Sequence, residues 1–473
     1  MRCKSGGGSR WTVMAPVAAL MLWGAGCGQE GGTPPVADSE APSEPGPTLA
    51  VPAPQPPAPQ ESQTPEPLPS EPAPGPSTPP ERPPERTMPP APHPWSHQRG
   101  GPQDDTGMAV AVDGAGHVSW VWLSTPREDA DRPPVDGQQR ALTLSRYTVA
   151  GGPEWTREFQ RNQISEPHIG ASGDGAVYLG GNAFLFPVDF GLGDAEDGFL
   201  VRFSSAGEPE WQRRVGQKIH GLSVGASGEV LISGEEWTAE AHVPLLTRYA
   251  ADGSVRWTRR LVWAGEGTEL GAVALTPTGR AVATGALDGE LELSDQRFGA
   301  AGAPSLAVFM FEPDGSLAWG RVLSGVEGRI TGVAVRADGS VVVAGEAQGA
   351  LRWGGTTLPE GGAFLLTMDS QGHEGWLRRP GCDALGFVPS LAVGASSEVV
   401  AACGSTLSFY APDGASRGER TLQPESCESG ACTLTSTAVG SVAGGALVVT
   451  GHQRDGVTTD HWNQDAFLRF VVP

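Results

Sequence analysis

The chain has 473 residues, with 54 acidic and 32 basic side chains and a formal net charge of −22 at pH 7. This charge disfavours nucleic acid as a partner, because phosphates require a basic patch, and it disfavours electrostatic docking on anionic lipid. Glycine (67) and proline (43) make up almost a quarter of the chain. Such a composition is typical of many short strands and turns joined to a segment without a core.

The first 26 residues have the three parts of a secretory signal peptide. Arg2, Lys4 and Arg10 supply positive charge, an apolar stretch runs from Val13 to Trp23, and small residues follow. The apolar stretch is shorter than the roughly 20 residues that a membrane-spanning helix needs. We therefore predict export, with residues 1–26 as a signal peptide.

The sequence GAGC at the end of this segment resembles the lipobox of bacterial lipoproteins, whose cysteine is diacylated and becomes the new N-terminus. Gly24 stands where that family usually has leucine, and the alternative is ordinary cleavage after Gly26. Cys27 is thus the predicted lipidation site. Gly28 follows it instead of aspartate, which in that family implies the outer membrane of a Gram-negative bacterium, with periplasmic or surface-facing orientation left open.

Residues 28 to 94 contain 24 of the 43 prolines. They hold too few apolar side chains to offset the entropy lost on ordering. We expect an extended, disordered linker, with polyproline II stretches rising about 3.1 Å per residue. The predicted domains are therefore a signal peptide over 1–26, a lipidated cysteine and linker over 27–93, and a folded domain over 94–473.

A repeat dominates the folded part. Alternating apolar residues on both sides of a Gly-centred turn recur seven times, which predicts seven β-hairpins. The central turn positions lie 48 to 60 residues apart: Gly116, Gly175, Gly228, Gly279, Gly339, Ser397 and Gly445. A third apolar strand follows each hairpin, and then a turn such as ADGS and a fourth strand with a tryptophan near its start. Four antiparallel strands per unit and seven units predict an all-β, seven-bladed β-propeller.

The seventh unit ends at "FLRFVVP" without a fourth strand, whereas the segment "PWSHQR" after the proline tract has the signature of one. Trp95 stands 21 residues before Gly116, and the other repeat tryptophans stand 17 to 22 residues before the next turn. We predict that the strand at Trp95 completes the last blade beside residues 467–470. Closure of the ring would remove unpaired sheet edges.

The repeat resembles the seven-bladed β-propeller (SBBP) repeat family of secreted bacterial proteins. The resemblance rests on the D-[AG]-F-L starts at Asp197 and Asp465, VDFG at 188, LRWGG at 351 and the recurring Gly-x-x-x-Trp. It spans nearly all of residues 95–473 and is weaker in the sixth unit, which lacks the tryptophan. The resemblance implies the fold and an envelope or extracellular location, but no particular reaction.

One tryptophan stands at a fixed place in most units, which indicates packing between neighbouring blades and not a ligand cage. These residues are Trp95, Trp155, Trp211, Trp257, Trp319 and Trp376. The related Trp-docking repeat of quinoprotein dehydrogenases often carries adjacent cysteines. The chain has no such pair, so we expect no cofactor.

Four cysteines lie in the folded part: Cys382, Cys403, Cys427 and Cys432. An even number in an exported chain predicts disulfides. Three connectivities are possible, and we favour Cys382–Cys403 and Cys427–Cys432 because each pair is local. Zinc is the alternative, but the spacing is a poor zinc pattern.

Few residues suggest chemistry. The acidic loop GDAEDG, residues 193–198, offers oxygen ligands for calcium but not a full coordination shell. His168 and His220 precede the first strands of two units and would approach the channel mouth as acid–base groups, although ordinary surface histidines are the favoured interpretation. No zinc-binding helix motif or phosphate-binding loop is present. We therefore assign no catalytic, cofactor-binding or metal residues.

The sequence predicts a monomeric, lipid-anchored envelope protein that presents the propeller as a binding or scaffolding module for an envelope or extracellular protein or glycan. Two alternatives remain. One is a hydrolase or lyase with its site in the central channel, and the other is an assembly factor that works with outer-membrane partners. Converging buried acids, histidines and arginines in the channel would favour the enzyme, and small side chains there would weaken it.

Overall fold

The computed structural model describes residues 93–100, 104–125, 140–162, 164–238, 242–261, 268–382, 389–425, 432–455 and 464–472. The predicted signal peptide, Cys27 and nearly all of the predicted linker lie outside these residues. In the described part, no helix is long and apolar enough to cross a membrane.

Seven four-stranded antiparallel sheets form the blades, each written here from the innermost to the outermost strand. Blade 1 is β2 (Asp104–Val112), β3 (Val118–Thr125), β4 (Arg140–Tyr147) and β5 (Pro153–Asn162). Blade 2 is β6 (Ile164–Ala171), β7 (Val177–Asp189), β8 (Asp194–Phe203) and β9 (Pro209–Arg214). Blade 3 is β10 (Lys218–Val224), β11 (Val230–Trp237), β12 (His242–Tyr249) and β13 (Val255–Arg260). Blade 4 is β14 (Glu269–Leu275), β15 (Ala281–Leu293), β16 (Gln296–Phe311) and β17 (Leu317–Ser324).

Blade 5 is β18 (Glu327–Val335), β19 (Val341–Gln348), β22 (Gly362–Met368) and β23 (Glu374–Arg378), with a small hairpin of β20 (Leu351–Trp353) and β21 (Thr356–Leu358) between its second and third strands. Blade 6 is β24 (Ser390–Val393), β25 (Val399–Cys403), β26 (Thr406–Tyr410) and β27 (Ser416–Thr421). Blade 7 is β28 (Cys432–Ser441), β29 (Leu447–Asp455), β30 (Gln464–Val471) and β1 (Trp95–Arg99), with a 3₁₀ turn at Ala443–Gly445. The predicted all-β, seven-bladed propeller is confirmed.

The N-terminal strand closes the ring, as the repeat count predicts. β1 pairs antiparallel with β30, and the register places Trp95 opposite Phe470 and Arg99 opposite Ala466. Blade 7 is therefore built from both ends of the chain. The pairing joins chain ends more than 360 residues apart in sequence without a covalent bond.

The middle strands of each blade are apolar because both faces of the sheet pack against neighbouring blades. In β19, for example, Val341, Val342, Val343 and Ala344 are all fully buried. The innermost strands approach closely where they carry small residues. A Cβ on Gly170 would lie 2.4 Å from Val224 in the next blade. The innermost strands of blades 2 and 3 therefore pack closely at this position.

The repeat tryptophans pack between blades, as predicted. The indole Nε1 of Trp211 in blade 2 donates to the carbonyl of Ala251 in blade 3 (3.1 Å), and Arg213 Nε donates to the carbonyl of Gly253 (2.8 Å). A Cβ on Gly253, at φ +77°, would lie 2.9 Å from the indole ring. The same turn-docking contact, an indole over the glycine of the next blade's turn, recurs for six pairs: Trp95 with Gly151, Trp155 with Gly207, Trp211 with Gly253, Trp257 with Gly315, Trp319 with Gly372 and Trp376 with Gly414.

Candidate functional site

The two faces of the disc differ. On the turn face, the first strand of each blade joins the second, and the third joins the fourth, through one repeated turn. In each turn the first residue's N–H donates to the carbonyl four residues on, at 2.8–3.1 Å. Thirteen turns share this hydrogen bond, and they begin at Asp113, Thr148, Ser172, Ser204, Gly225, Ala250, Thr276, Glu312, Arg336, Asp369, Gly394, Ala411 and Val442.

The opposite side, the loop face, carries the variation in length. The connection between the second and third strands spans only Gly404 and Ser405 in blade 6, but residues 126–139 in blade 1. Blades 2 and 4 extend the same hairpin outward through Asp189 and Leu293, and blade 5 inserts the pair β20–β21. Connections that vary on a regular scaffold are where binding residues concentrate. The loop face is therefore the candidate functional surface.

Histidines and acids from blades 2 and 3 gather at the channel end of this face. We call His168, His220, Glu235, Trp237 and His242 the histidine cluster. His220 Nε2 lies 3.9 Å from one Glu235 oxygen, and His242 Nδ1 lies 3.7 Å from the other. The rings of Trp237 and His242 stack with centroids 5.1 Å apart and planes 18° apart. The cluster thus runs from a buried imidazole at the channel to an exposed indole.

Local backbone geometry positions the two inner histidines. His220 occupies a β-bulge between Ile219 and Gly221, whereas His168 pairs with Gly180 just after a bulge in β6. Bulges redirect side chains next to functional sites in many sheets. Both Nε2 atoms are shielded from solvent and have no hydrogen-bond partner. A buried nitrogen without a hydrogen-bond partner destabilises the folded state unless a water molecule or a ligand bonds to it.

The ionisation states in the cluster follow from burial and proximity. Burial lowers the pKa of His168 to about 4, so its imidazole is neutral at pH 7. The neighbouring His220 lowers the pKa of Glu235 to about 2, with smaller contributions from Trp237 and His242. Glu235 is therefore ionised at all physiological pH values. The cluster presents the neutral imidazole of His168 and the fixed negative charge of Glu235.

A second polar group connects the two blades. The amide of Asn182 in blade 2 accepts from the N–H of Ile219 in blade 3 (2.7 Å) and donates to its carbonyl (3.0 Å). It also donates to Glu166, which lies 3.6 Å from the amine of Lys218. These contacts fix β6 against β10, so the two inner histidines are held by a rigid blade junction.

Exposed apolar side chains also mark the loop face. Trp237 is 45% exposed, and Phe186 and Leu192 on the extended hairpin of blade 2 are each 40% exposed. The turn face has Val149 and Val255 as its exposed large apolar residues in the described part of the chain. An aromatic ring beside charged and hydrogen-bonding groups is typical of recognition surfaces.

The histidine cluster offers few of the groups that catalysis requires. The neutral imidazole of His168 could accept a proton. However, in the described residues no serine, threonine or cysteine forms a hydrogen bond with the Nε2 atom of His168 or His220. Across the described segments, no group of three or more His, Cys, Asp or Glu side chains could hold a metal ion.

The predicted site residues have mixed outcomes. Cys382 and Cys403 form a disulfide, which confirms that pairing. Cys432 is disulfide-bonded, but Cys427 lies outside the described residues, so their pairing stays a prediction. Cys27 also lies outside them.

Two sequence expectations are wrong. The surface interpretation fails for His220, whose side chain is only 10% exposed, and for His168, whose Nε2 is shielded from solvent. The GDAEDG segment is not a loop, because residues 194–198 form the start of β8, where Asp197 pairs with Arg214. Trp237 and Glu235 were not predicted as site residues. The signal for Trp237 was its position outside the repeated Gly-x-x-x-Trp place.

No known protein family matches the chain by sequence, and no curated protein matches it. Several solved structures are similar to the chain. One chain of a Mitotic Checkpoint Complex is 9% identical over 83% of this chain and 95% of that one, with a TM-score of 0.46. The Pan2 WD40 domain of Neurospora crassa is 8% identical over 78% and 89%, with a TM-score of 0.41. Hydrazine synthase of Kuenenia stuttgartiensis is 9% identical over 72% and 92%, with a TM-score of 0.47. At these identities the comparison carries no inference about activity.

Proposed function

We propose that this protein is an exported binding or scaffolding module, held in the cell envelope by a lipid on Cys27, that takes an envelope or extracellular protein or glycan on its loop face. The observation that carries this proposal is the asymmetry of the disc. One face repeats a single turn thirteen times, while the other concentrates all the variation in connection length. Variation confined to one face of a rigid scaffold supports a binding role for that face.

The histidine cluster supports recognition at this face. Trp237 offers a large exposed ring, and His242 and Glu235 beside it offer hydrogen-bonding groups and one negative charge. Exposed tryptophan contributes strongly to binding because it buries a large area at little entropic cost. We place the centre of the contact at Trp237.

The point where the chain enters the propeller supports the same orientation. β1 begins at Trp95, whose indole contacts the blade 1 turn at Val149 and Gly151. These residues belong to the turn face. A tether that precedes β1 therefore meets the propeller at the turn face and leaves the loop face free for a partner.

The enzymatic alternative rests on one observation, the two inner histidines with unmet Nε2 atoms beside Glu235. A hydrolase or lyase would use one imidazole as a general base. In the described residues, the Nε2 atom of neither histidine is hydrogen-bonded to a hydroxyl or thiol that it could activate, which weighs against a hydrolase site. Binding is the better-supported function.

Site-specific photocrosslinking in native envelopes tests the proposal. The change Trp237→p-benzoylphenylalanine places the crosslinker on the loop face, and Val255→p-benzoylphenylalanine, at a site 57% exposed, places it on the turn face. We expect discrete crosslinked products from position 237 and none from 255. Products from position 255 alone would contradict a loop-face binding role.

A further inference from the structure

The junction between blades 6 and 7 lacks the turn-docking contact that is found at the other six blade junctions. In blades 1 and 4, the outermost strand places Trp155 opposite Arg146 and Trp319 opposite Met310. In blade 6 the same register places Gly418 opposite Phe409. No atom lies within 4 Å of the position where a Cβ on Gly418 would be. Blade 6 therefore has no indole to dock on its neighbour.

The missing tryptophan has a topological reason. Each of the other repeat tryptophans docks on the glycine of the next blade's turn between the third and fourth strands. Blade 7 has no such turn, because its third strand ends at Val471 and its fourth begins at Trp95. Arg420 still follows the rule in part. Its Nη1 donates to the carbonyl of Val472 in blade 7 (2.7 Å). The equivalent arginine of blade 4, Arg321, donates to the carbonyl of Gly372 in the turn of blade 5.

A cleft of about 520 Å³ lies against blade 6 at this junction. It is lined by an apolar group, Phe409, Tyr410, Ala411 and Pro412, and by charged residues that include Glu398 and Arg417. Phe409 is only partly buried, and every residue of β27 is exposed. An open apolar cleft beside an exposed edge strand is a docking site when something covers it.

The strand β1, with which the described part of the chain begins, lies beside this cleft. Ser96 Oγ donates to Glu425 (2.8 Å), so the side chains of β1 that alternate with Trp95 face the blade 6 side of the sheet. Pro94 precedes Trp95 and shares that alternation. The residues just before it, 88–92, read MPPAP. We call residues 88–92 the proximal segment.

We propose that the proximal segment docks in the blade 6 cleft, where it replaces the tryptophan and the turn that this junction lacks. Its prolines favour the extended polyproline II form, which binds aromatic-lined grooves at low entropic cost. The ring of Phe409 and Pro412 supply the apolar wall of such a groove, whereas the ring of Tyr410 is buried against Trp376 of blade 5. The tether would then leave the propeller from a fixed point beside blade 6.

Tryptic cleavage of the full mature chain, made soluble with Cys27→Ser, tests the proposal. Arg82 and Arg86 are the basic residues between positions 28 and 94, and Pro83 makes the bond after Arg82 resistant. Release of the N-terminal fragment therefore reports cleavage after Arg86, two residues before the proximal segment. Docking should slow this cleavage, because the protease requires an undocked chain.

The cleft variant is Phe409→Thr, since Thr367 occupies the equivalent place before the last residue of the third strand in blade 5. Phe186→Thr, on the loop face, is the matched control. We expect cleavage after Arg86 to be at least about threefold faster in Phe409→Thr than in the wild type, while Phe186→Thr matches the wild type. Circular dichroism confirms that both variants are folded.

Two results would overturn the inference. Equal cleavage rates in the wild type and Phe409→Thr would show that the cleft does not hold the proximal segment. Protection that is lost on dilution of the protein would assign the cleft to the segment of a second copy. Neither result bears on binding at the loop face, which the crosslinking experiment tests separately.

Discussion

Trp95 and Phe470 lie opposite each other in the strand pair formed by the two ends of the chain, and their rings stack with centroids 5.4 Å apart. The same indole donates from Nε1 to the carbonyl of Val149 in blade 1 (3.0 Å). One side chain thus packs on its own blade and docks on the next. Closure of the sheet and closure of the ring therefore depend on the same residue.

The turn-docking contacts should contribute to stability, whereas the loop-face tryptophan should not. Trp211→Ala removes the contact with Gly253 and the hydrogen bond to Ala251, and we expect the free energy of unfolding to fall by about 2–4 kcal/mol. Trp237→Ala, at a site 45% exposed, should change it by less than about 0.5 kcal/mol. Urea denaturation followed by circular dichroism measures both. Similar losses in the two variants would contradict the assigned roles.

The disulfide between Cys382 and Cys403 closes a loop with a sequence separation of 21. The double change Cys382→Ala and Cys403→Ala should lower the free energy of unfolding by about 2–4 kcal/mol, because the unfolded chain gains freedom. Thermal melting with and without reductant measures the effect. Reductant should destabilise the wild type much more than the variant, and a wild type indifferent to reductant would count against the bond.

Asp105 gives the propeller a pH dependence near neutrality. Burial, together with Asp465 and Asp104, raises the pKa of Asp105 to about 7 from its ordinary 3.8. The native state therefore binds a proton that the unfolded state releases, so the stabilisation is full below about pH 4 and is lost as the pH rises through about 7. We expect Asp105→Asn to be more stable than the wild type at pH 8, and we expect this difference to shrink steadily as the pH falls toward 4.

Melting curves of the two proteins between pH 5 and 8 test whether the stability difference grows as the pH rises. The difference between variant and wild type isolates Asp105, since the other titrating groups are common to both. A stability gap that stays constant across this range would contradict the raised pKa.

Membrane association should depend on Cys27. The change Cys27→Ser removes the proposed lipid attachment, so the exported protein should move from the membrane pellet to the soluble envelope fraction. Cys27→Ala should behave in the same way, and Cys3→Ser should leave the wild-type distribution unchanged. A serine variant that still sediments with membranes would contradict the lipid anchor.

The sequence predicts the architecture well because every blade repeats the same pattern of strands and turns. The alternation around Gly228, for instance, recurs around Gly339, and the missing fourth strand of the last unit locates the partner of β30 at Trp95. The site was harder to predict. Its position depends on a β-bulge at His220 and on the packing of β6 against β10, neither of which a periodic pattern encodes.

The absent tryptophan of the sixth unit shows the same limit of prediction from the sequence. The sequence reveals that the sixth unit lacks the tryptophan. The strand register identifies Gly418 at its place, and the reason lies in three dimensions, because blade 7 lacks the turn on which a tryptophan would dock. The lengths of the loop-face connections were likewise visible as spacings between turns. That they all project from one side became evident only from the sheet topology.

Thermal melting of two truncated chains tests the ring closure most directly. Deletion of residues 94–100 removes β1 and leaves β30 unpaired on one side, so the melting temperature should fall by about 10 °C or more. Deletion of residues 40–80 removes only predicted linker and should leave it unchanged. Equal melting temperatures for the two truncations would show that Trp95 and its neighbours do not hold the propeller closed.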